Sequence, residues 1–413
     1  MHPVYMLLVI PFFFLTMFLE WGYSRIKKQK WYRLNDTVSN LLLGTGQQLF
    51  GIITKSMLMG VYIWIYERYA FFHLPKTWWV FLICLVLFDF LFYWAHRWGH
   101  ELNIFWAAHS VHHQSEEFNL SVALRQSWFH SVLAFPIFLP IPSMGFDPVI
   151  FGLTAIVHTL SQYWIHTKAI GKLPAWFEFW FNTPSHHRVH HAINPQYIDK
   201  NHAGLLMIWD RMFGTFKEEE SDTPIYYGTT TPLRSWNPVW ANFQYFTDMW
   251  HKARCMLRHD RWKMIFARPG WLPGYLGGAT SVTQADLKSR RLYNADTHVC
   301  LKVYAVFQFF IMLAGAMAYM AFFPSISFFY KVVFFGLILT TMLIIGALFE
   351  NKKWVIYAEY ARLILAALAL NSFYYFWYIN WFHVMVAASL VALLMFAAFY
   401  TCSIFVKRTF TVQ

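Results

Sequence analysis

Charged side chains are scarce in this chain of 413 residues. Only 13% of its residues are Asp, Glu, Lys or Arg, whereas 58% are hydrophobic. A soluble domain carries about 25% charged residues. So few charges cannot cover the surface of a soluble protein of this length, which excludes a soluble enzyme and a disordered chain. The composition therefore indicates a polytopic membrane protein.

Cysteine is also rare, and acidic residues are fewer than basic ones, 21 against 33. The four cysteines lie far apart without a C-x-x-C pair, which gives no reason to expect a disulfide or a thiolate metal site. The net charge is +12, but no basic run is long enough to lie along phosphates, so no nucleic-acid partner is expected. In a membrane protein this excess is typical of cytoplasmic loops and of surfaces that attract anionic lipid headgroups.

Long apolar runs dominate what is present, and a spanning helix needs about 20 such residues. Because Pro136, Pro140 and Pro142 interrupt one run, it and the next are expected to form either two crossings or a short re-entrant hairpin. The basic loop 21–40 is predicted to be cytoplasmic. The predicted fold is an all-α polytopic helical bundle with about eight or nine spans. The candidate spans are 3–20, 42–65, 78–95, 128–143, 148–166, 300–323, 327–349, 354–378 and 382–406.

Histidine is the residue in excess, with 19 copies, and its placement indicates a metal site. Span three ends with residues at intervals of four, three and four, which lie on one helix face. Two later clusters repeat the H-x2-H-H spacing, and all three clusters follow predicted spans on the cytoplasmic side. The residues of the first are Asp89, Tyr93, His96 and His100; the others are His109, His112 and His113, then His187, His190 and His191.

These eight imidazoles exceed what one ion binds, because zinc usually takes four ligands and iron about six. Two ions are therefore expected, and a shell of nitrogen ligands without sulfur beside a bilayer suits two irons in oxygen chemistry. His166 is predicted as a ninth ligand. For His158 and His186, a ligand role and a hydrogen-bonded structural role both stay open. The remaining histidines stand alone and are expected not to bind metal: His2, His73, His130, His202, His251, His259, His298 and His383.

Polar residues near the clusters are expected to support the ligands. Asp89, Gln162 and Asn182 are predicted to orient the imidazoles through hydrogen bonds, as carboxylates and carbonyls commonly do at metal sites. Asp210 and Arg211 are expected to form an ion pair with each other near the site.

The set H-x3-H, H-x2-H-H, H-x2-H-H resembles the fatty acid hydroxylase/sterol desaturase superfamily of membrane di-iron enzymes. Within it, residues 112–127, 164–167, 182–191 and 208–216 are similar to the alkylglycerol monooxygenase family. The resemblance covers roughly 80–230. It implies hydroxylation by O2 of the ether-linked carbon of a 1-O-alkylglycerol, which releases a fatty aldehyde and glycerol.

The resemblance also implies two iron ions and tetrahydrobiopterin as reductant. Glu116 matches the family's acidic position and is the implied pterin contact, and Arg125 and Gln126 are implied contacts of the pterin or of the lipid headgroup. The implied partners are the bilayer, a lipid substrate, and a pterin-recycling or electron-donor system. The address would be the endoplasmic reticulum in a eukaryote and the cytoplasmic membrane in a bacterium. Oligomeric state is not predicted.

The chain divides on this basis into four parts. They are an N-terminal transmembrane pair (1–76), a di-iron hydroxylase core (77–217), a cytoplasmic interfacial segment (218–299) and a C-terminal transmembrane bundle (300–413). Two other functions stay open. One is a hydroxylase or desaturase of a sterol, fatty acyl or carotenoid lipid, served by an electron-transfer protein. The other is a metal transporter, which would need ionisable residues along several spans.

Overall fold

The computed structural model describes residues 3–279, 283–295, 297–377, 386 and 389–400. Of the features predicted above, His2, His383 and about half of the span 382–406 lie outside them. In chain order the helices are α1 (Pro3–Ile26), α2 (Leu34–Tyr69), α3 (Trp78–Glu101), α4 (Asn103–His113), α5 (Leu120–Ala123), α6 (His130–Ala134), α7 (Pro140–Ser143), α8 (Pro148–Ser161), α9 (Ala175–Trp180), α10 (Pro184–His190), α11 (Ile208–Met212), α12 (Pro238–Arg254), α13 (Arg258–Phe266), α14 (Gln284–Ser289), α15 (Val299–Phe322), α16 (Phe328–Phe349) and α17 (Val355–Trp377).

The described part of the chain is helical, and β-pairing there is confined to two isolated bridges. Five of its helices, α2, α3, α15, α16 and α17, are long and apolar enough to cross a membrane. This confirms the predicted all-α, multi-pass membrane fold. The number of crossings and the cytoplasmic side stay predictions.

The pair of predicted spans between α3 and the third histidine cluster is short. Residues 128–143 form α6, a 3-10 turn at Phe135–Phe138 and α7, with prolines at the start of the last two. The partner helix α8 has 14 residues, about 21 Å at 1.5 Å per residue, which is less than the hydrocarbon core of about 30 Å. Helix α8 also ends at Ser161, earlier than the predicted boundary at 166, so His166 lies in a turn beyond it.

Two compact units make up the chain. The larger comprises Phe12–Leu233 with Trp240–Leu292 and contains every predicted ligand. In it α3 packs against both α4 and α8, and the apolar face of α3 contributes Val80, Cys84 and Phe88 to a buried cluster. This packing leaves the polar end of α3 to meet the loops that carry the other histidines.

The smaller unit contains α15, α16 and α17 and has a buried ion pair of its own. Arg362 donates to both carboxylate oxygens of Glu359 at 2.7 and 2.6 Å and to Gln308 Oε1 at 2.8 Å. The Tyr304 hydroxyl donates to the same carboxylate. Residues that were scattered in sequence therefore form a satisfied network between helices α15 and α17. Cys300 is disulfide-bonded, a pairing that the wide spacing of the cysteines does not indicate.

Candidate metal centre

The ends of three helices and one turn position the predicted ligands. His96 and His100 lie one turn apart near the C-terminus of α3, and α4 follows after a single residue. The last residues of α4 carry the second cluster. Pro184 takes a first-turn position of α10, where its missing N–H costs nothing. The third cluster closes that helix, with His191 as its C-terminal cap.

The nine predicted ligands come together in two groups. Within each group the candidate ligand nitrogens all lie within 4.8 Å of one another, and every residue is buried. The five-histidine group comprises His96, His100, His109, His113 and His190, and the four-histidine group comprises His112, His166, His187 and His191. The groups adjoin, because the rings of His113 and His191 stack at a centroid distance of 4.3 Å.

Nitrogen spacings within the groups fit metal ions. An imidazole nitrogen binds a divalent ion at about 2.1 Å, so two such nitrogens at right angles lie about 3.0 Å apart. The Nε2 atoms of His96 and His109 are 3.0 Å apart, and those of His166 and His187 are 2.9 Å apart. The Nε2 atoms of His100 and His190 are buried and have no hydrogen-bond partner within the described residues. These residues therefore fit ions that would accept their unpaired nitrogens.

Backbone carbonyls hold four of the imidazoles from behind. Each accepts a hydrogen bond from Nδ1, which fixes the tautomer that leaves Nε2 free for a metal. The pairs are His96 with His202 O at 2.8 Å, His112 with Arg125 O at 2.8 Å, His166 with Gln162 O at 2.8 Å, and His190 with Lys200 O at 3.0 Å.

Burial also keeps the imidazoles in the metal-binding form. It lowers the pKa of His112 to about 4 and the pKa of His190 to about 3, because a charged ring is poorly solvated in the interior. Both rings are therefore neutral near pH 7, and neutral imidazole is the form that ligates metals.

Two of the four supporting carbonyls belong to a loop, residues 199–203, which we term the carbonyl loop. Asn201 adopts φ of 56°, a left-handed conformation that Asn tolerates better than most residues. Its amide donates to Lys217 O at 2.7 Å. Asp210 accepts from the backbone N–H of His202 at 2.8 Å and of Ala203 at 2.7 Å. This loop was not predicted from the sequence. Every residue type offers a backbone carbonyl, so no sequence pattern indicates which carbonyls hold the histidines.

Asp210 and Arg211 do not form the predicted ion pair. The carboxylate of Asp210 is used by the carbonyl loop and by the Thr215 hydroxyl, at 2.6 Å. The guanidinium of Arg211 instead lies over the ring of Phe216, 3.8 Å from its centroid. A buried carboxylate surrounded by three donors needs no cation to satisfy it.

The residues predicted to orient ligands act mainly on backbone and on His158. Asp89 accepts from His158 Nε2 at 2.7 Å and from the indole of Trp209 at 2.9 Å. Gln162 contacts His158 Nδ1 with its side chain at 3.0 Å and His166 with its carbonyl. The amide of Asn182 donates to Ala203 O at 2.6 Å. These contacts hold the surroundings of the two groups.

Four other histidines lie near the groups without joining them. One of these, His130, was expected to stand alone, and its ring centroid lies 5.3 Å from that of His109. His158 is hydrogen-bonded to Asp89. Nδ1 of His186 lies 3.4 Å from the Thr183 hydroxyl, and its Nε2 lies 4.0 Å from a carboxylate oxygen of Glu178. His202, expected to stand alone, has its ring centroid 5.1 Å from that of His100. His202 follows His191, the last residue of the third cluster, by 11 positions. No helical spacing therefore indicates that it lies near the site.

The implied cofactor contacts lie close to the second cluster. The Glu116 carboxylate pairs with Arg290 at 3.3 Å and with Arg33 at 3.6 Å. Arg125 is buried, and its guanidinium donates to three protein acceptors: Val111 O, Asn40 Oδ1 and Gln114 Oε1. Gln126 donates to Ala123 O at 3.4 Å. Binding of a cofactor by these residues stays a prediction.

Comparisons with known proteins show the family of this chain. The fatty acid hydroxylase family model matches residues 81–215. Human alkylglycerol monooxygenase is 36% identical over 317 residues, which are 76% of this chain and 70% of the human protein. The chain belongs to the alkylglycerol monooxygenase family. Other alkylglycerol monooxygenases are similar: that of Xenopus tropicalis is 32% identical, covering 88% of this chain and 81% of its own, and that of Danio rerio is 35% identical, covering 75% and 70%.

These matches confirm the predicted family and the prediction that the chain is an enzyme, an integral-membrane oxygenase. The three histidine clusters lie inside the matched region 81–215. No solved structure matches this chain.

Proposed function

We propose that this enzyme opens the ether bond of 1-O-alkylglycerols with O2, using two irons and tetrahydrobiopterin. The observation that carries the proposal is the division of nine buried histidines into groups of five and four, in a chain similar to alkylglycerol monooxygenases along most of its length. Two neighbouring sites are what a di-iron oxygenase requires, and a single structural ion would not need both.

Iron is the metal we infer for these sites. Imidazole nitrogen suits iron, copper, zinc and nickel alike, so the ligand set alone does not select among them. Monooxygenation selects a redox-active metal, and two irons would supply the oxygen-activating chemistry when bound. The five-histidine group would hold one ion and the four-histidine group the other.

The proposed reaction is balanced by one reductant. Hydroxylation of the carbon next to the ether oxygen consumes O2 and two electrons with two protons from tetrahydrobiopterin, and releases water. The resulting hemiacetal loses its C–O bond, which gives a fatty aldehyde and glycerol. The ring nitrogens face a buried interior, which supports a site where a reactive oxidant is protected from water.

Glu116 is our proposed acceptor for the pterin. A carboxylate can accept two parallel N–H donors, as it does with arginine. Glu116 lies three residues beyond His113, and its two arginine partners limit the orientations of its carboxylate. Arg125 and Gln126 are the weaker candidates, because the Arg125 guanidinium already has three protein acceptors.

The active site is proposed to open at the cytoplasmic face. The basic loop 21–40 and the basic α13 support this side by the positive-inside rule. Trp262 on α13 is 69% exposed, which suits a helix at the headgroup level. A water-soluble pterin and a membrane lipid could then reach one site from opposite directions.

The deciding assay supplies purified protein in nanodiscs with 1-O-hexadecylglycerol and tetrahydrobiopterin and follows fatty aldehyde. We expect about two irons per chain and aldehyde formation that requires the pterin. His112→Ala and His190→Ala, one from each group, should each lose iron and turnover. His251→Ala removes an exposed histidine on α12 and serves as the matched control.

The rival function predicts other results in the same assay. Turnover supported by a cytochrome donor and not by pterin would favour a hydroxylase or desaturase of another lipid. Full iron loading and activity in both histidine variants would refute the site itself.

A further inference from the structure

His202 faces the five-histidine group without being part of it. Its side chain is fully buried. The ring centroid lies 5.1 Å from that of His100, 5.7 Å from that of His190 and 5.8 Å from that of His96. Centroid distances inside the group run from 4.3 Å, between His96 and His190, to 5.3 Å, between His96 and His100. The His202 ring therefore lies directly beside the candidate ligands.

Both ring nitrogens of His202 lack a hydrogen-bond partner in the described part of the chain. The carbonyl of Asp199 lies near the ring but outside hydrogen-bonding geometry. Buried polar groups are paired in almost all native structures, with protein, water or a ligand. A fully buried imidazole with two unpaired nitrogens beside a metal group thus needs a partner that is not a protein group.

Two hydrogen bonds hold the main chain of residue 202 in place. Its backbone N–H donates to Asp210 at 2.8 Å, and its carbonyl accepts from Nδ1 of His96 at 2.8 Å. If residue 202 moved away, the support of His96 would be lost. The backbone that carries the ring is therefore fixed beside the five-histidine group.

A direct ligand role fits this geometry poorly. The nitrogens of His202 do not belong to the set that lies within 4.8 Å of one another. The group already has five imidazoles, and a sixth would fill the set of about six ligands that an iron accepts. A site that must bind an exogenous molecule keeps one position open.

We propose that His202 donates a hydrogen bond to a small exogenous ligand of the metal ion that the five-histidine group would hold. This ligand is a compact molecule that binds metal through oxygen or nitrogen and can accept a hydrogen bond, such as water, hydroxide or azide. This inference rests on the metal centre of the proposed function. It assigns a ligand-stabilising role to a histidine outside the three clusters.

The test compares iron-loaded His202→Phe and His202→Gln with the unchanged protein in nanodiscs. Iron per chain is measured first, and azide is then titrated into the oxidised protein by absorbance. We expect His202→Phe to keep its iron and to bind azide about tenfold more weakly, because the donor is gone. His202→Gln retains an N–H donor and should recover most of the affinity.

His186→Gln is the matched control, because His186 is a buried histidine of the same region that lies outside both groups. Its azide affinity should equal that of the unchanged protein. If His202→Phe does not fold, His202→Asn, whose shorter amide ends farther from the group, should weaken azide binding instead.

Three results would overturn the proposal. Loss of about one iron in both His202→Phe and His202→Gln would make His202 a metal ligand. Unchanged azide affinity in His202→Phe would make it a space-filling ring. Absence of iron from the unchanged protein would remove the proposed metal centre, and the His202 proposal with it.

Discussion

At the residue scale, the neighbours of each histidine determine what its two nitrogens can do. Where a carbonyl accepts from Nδ1, as for His112 and His166, the other nitrogen is left for a metal. His158 has both nitrogens occupied, by Asp89 and by Gln162, and has none to offer. Histidines that the sequence does not distinguish thus differ in their hydrogen bonds. Only the folded chain shows which of them have a nitrogen left for a metal.

Asp210 supports ligands that it does not touch, through the carbonyl loop. In Asp210→Asn an amide –NH2 replaces one acceptor and opposes a backbone N–H or the Thr215 hydroxyl. Leaving a buried group unpaired costs about 1–3 kcal/mol. We expect a lower melting temperature and fewer than two irons per chain, measured by thermal unfolding and metal analysis.

The matched control for Asp210→Asn is Asp222→Asn, which makes the same substitution at an exposed position. It should leave both readings unchanged. Full iron loading together with unchanged stability in Asp210→Asn would show that the loop does not depend on this carboxylate.

At the element scale, local patterns in the sequence predict the long helices. The apolar runs predicted α2, α3 and the C-terminal helices, because length and hydropathy are properties of a single segment. The histidine spacing likewise predicted residues that share a helix end. The sequence does not decide whether residues 128–143 and α8 cross the bilayer, since the prolines are compatible with two crossings and with a hairpin. It also predicts the end of α8 too late.

Features that depend on distant contacts could not be predicted in this way. The supporting carbonyls of Lys200 and His202 would be offered by any residue type at those positions. Asp89 was predicted to orient a ligand from its helical spacing, yet its partners come from α8 and from residues 205–209, far along the chain. Sequence spacing therefore predicts the candidate ligands but not the groups that hold them.

Helix α2 packs closely against the segment that follows the second cluster, and glycine permits this. A Cβ at Gly44 would lie far inside contact distance of the carbonyl oxygen of Leu124, beside Arg125. Arg125 in turn supports His112 through its own carbonyl. Because backbone must move to admit the methyl group, Gly44→Ala should destabilise the protein by about 1–3 kcal/mol.

The same helix offers a matched control for Gly44→Ala. A Cβ at Gly60 meets nothing within 4 Å, so Gly60→Ala should be neutral or slightly stabilising, since alanine favours helix. Chemical unfolding and iron content, measured side by side, test the pair. Equal stability of the two variants would contradict close packing at Gly44.

At the scale of the whole molecule, nine buried imidazoles lead us to expect that stability depends on metal. Without ions, nitrogens such as Nε2 of His100 and of His190 have no partner among the described residues. An ion that binds only the folded state stabilises it by about 2.7 kcal/mol at a free concentration 100 times its dissociation constant. We therefore expect the stability of the larger unit to follow the metal content of the two groups.

Removal of metal should consequently lower the melting temperature of the unchanged protein. A chelator should cause this shift, and Fe(II) should reverse it. Zn(II) should restore stability without turnover, because imidazole binds both metals whereas oxygen activation needs a redox-active one. The protein carrying both His112→Ala and His190→Ala should melt at one temperature with or without chelator, while His251→Ala should behave like the unchanged protein. A protein that loses its iron to the chelator and still melts at the original temperature would separate metal binding from folding.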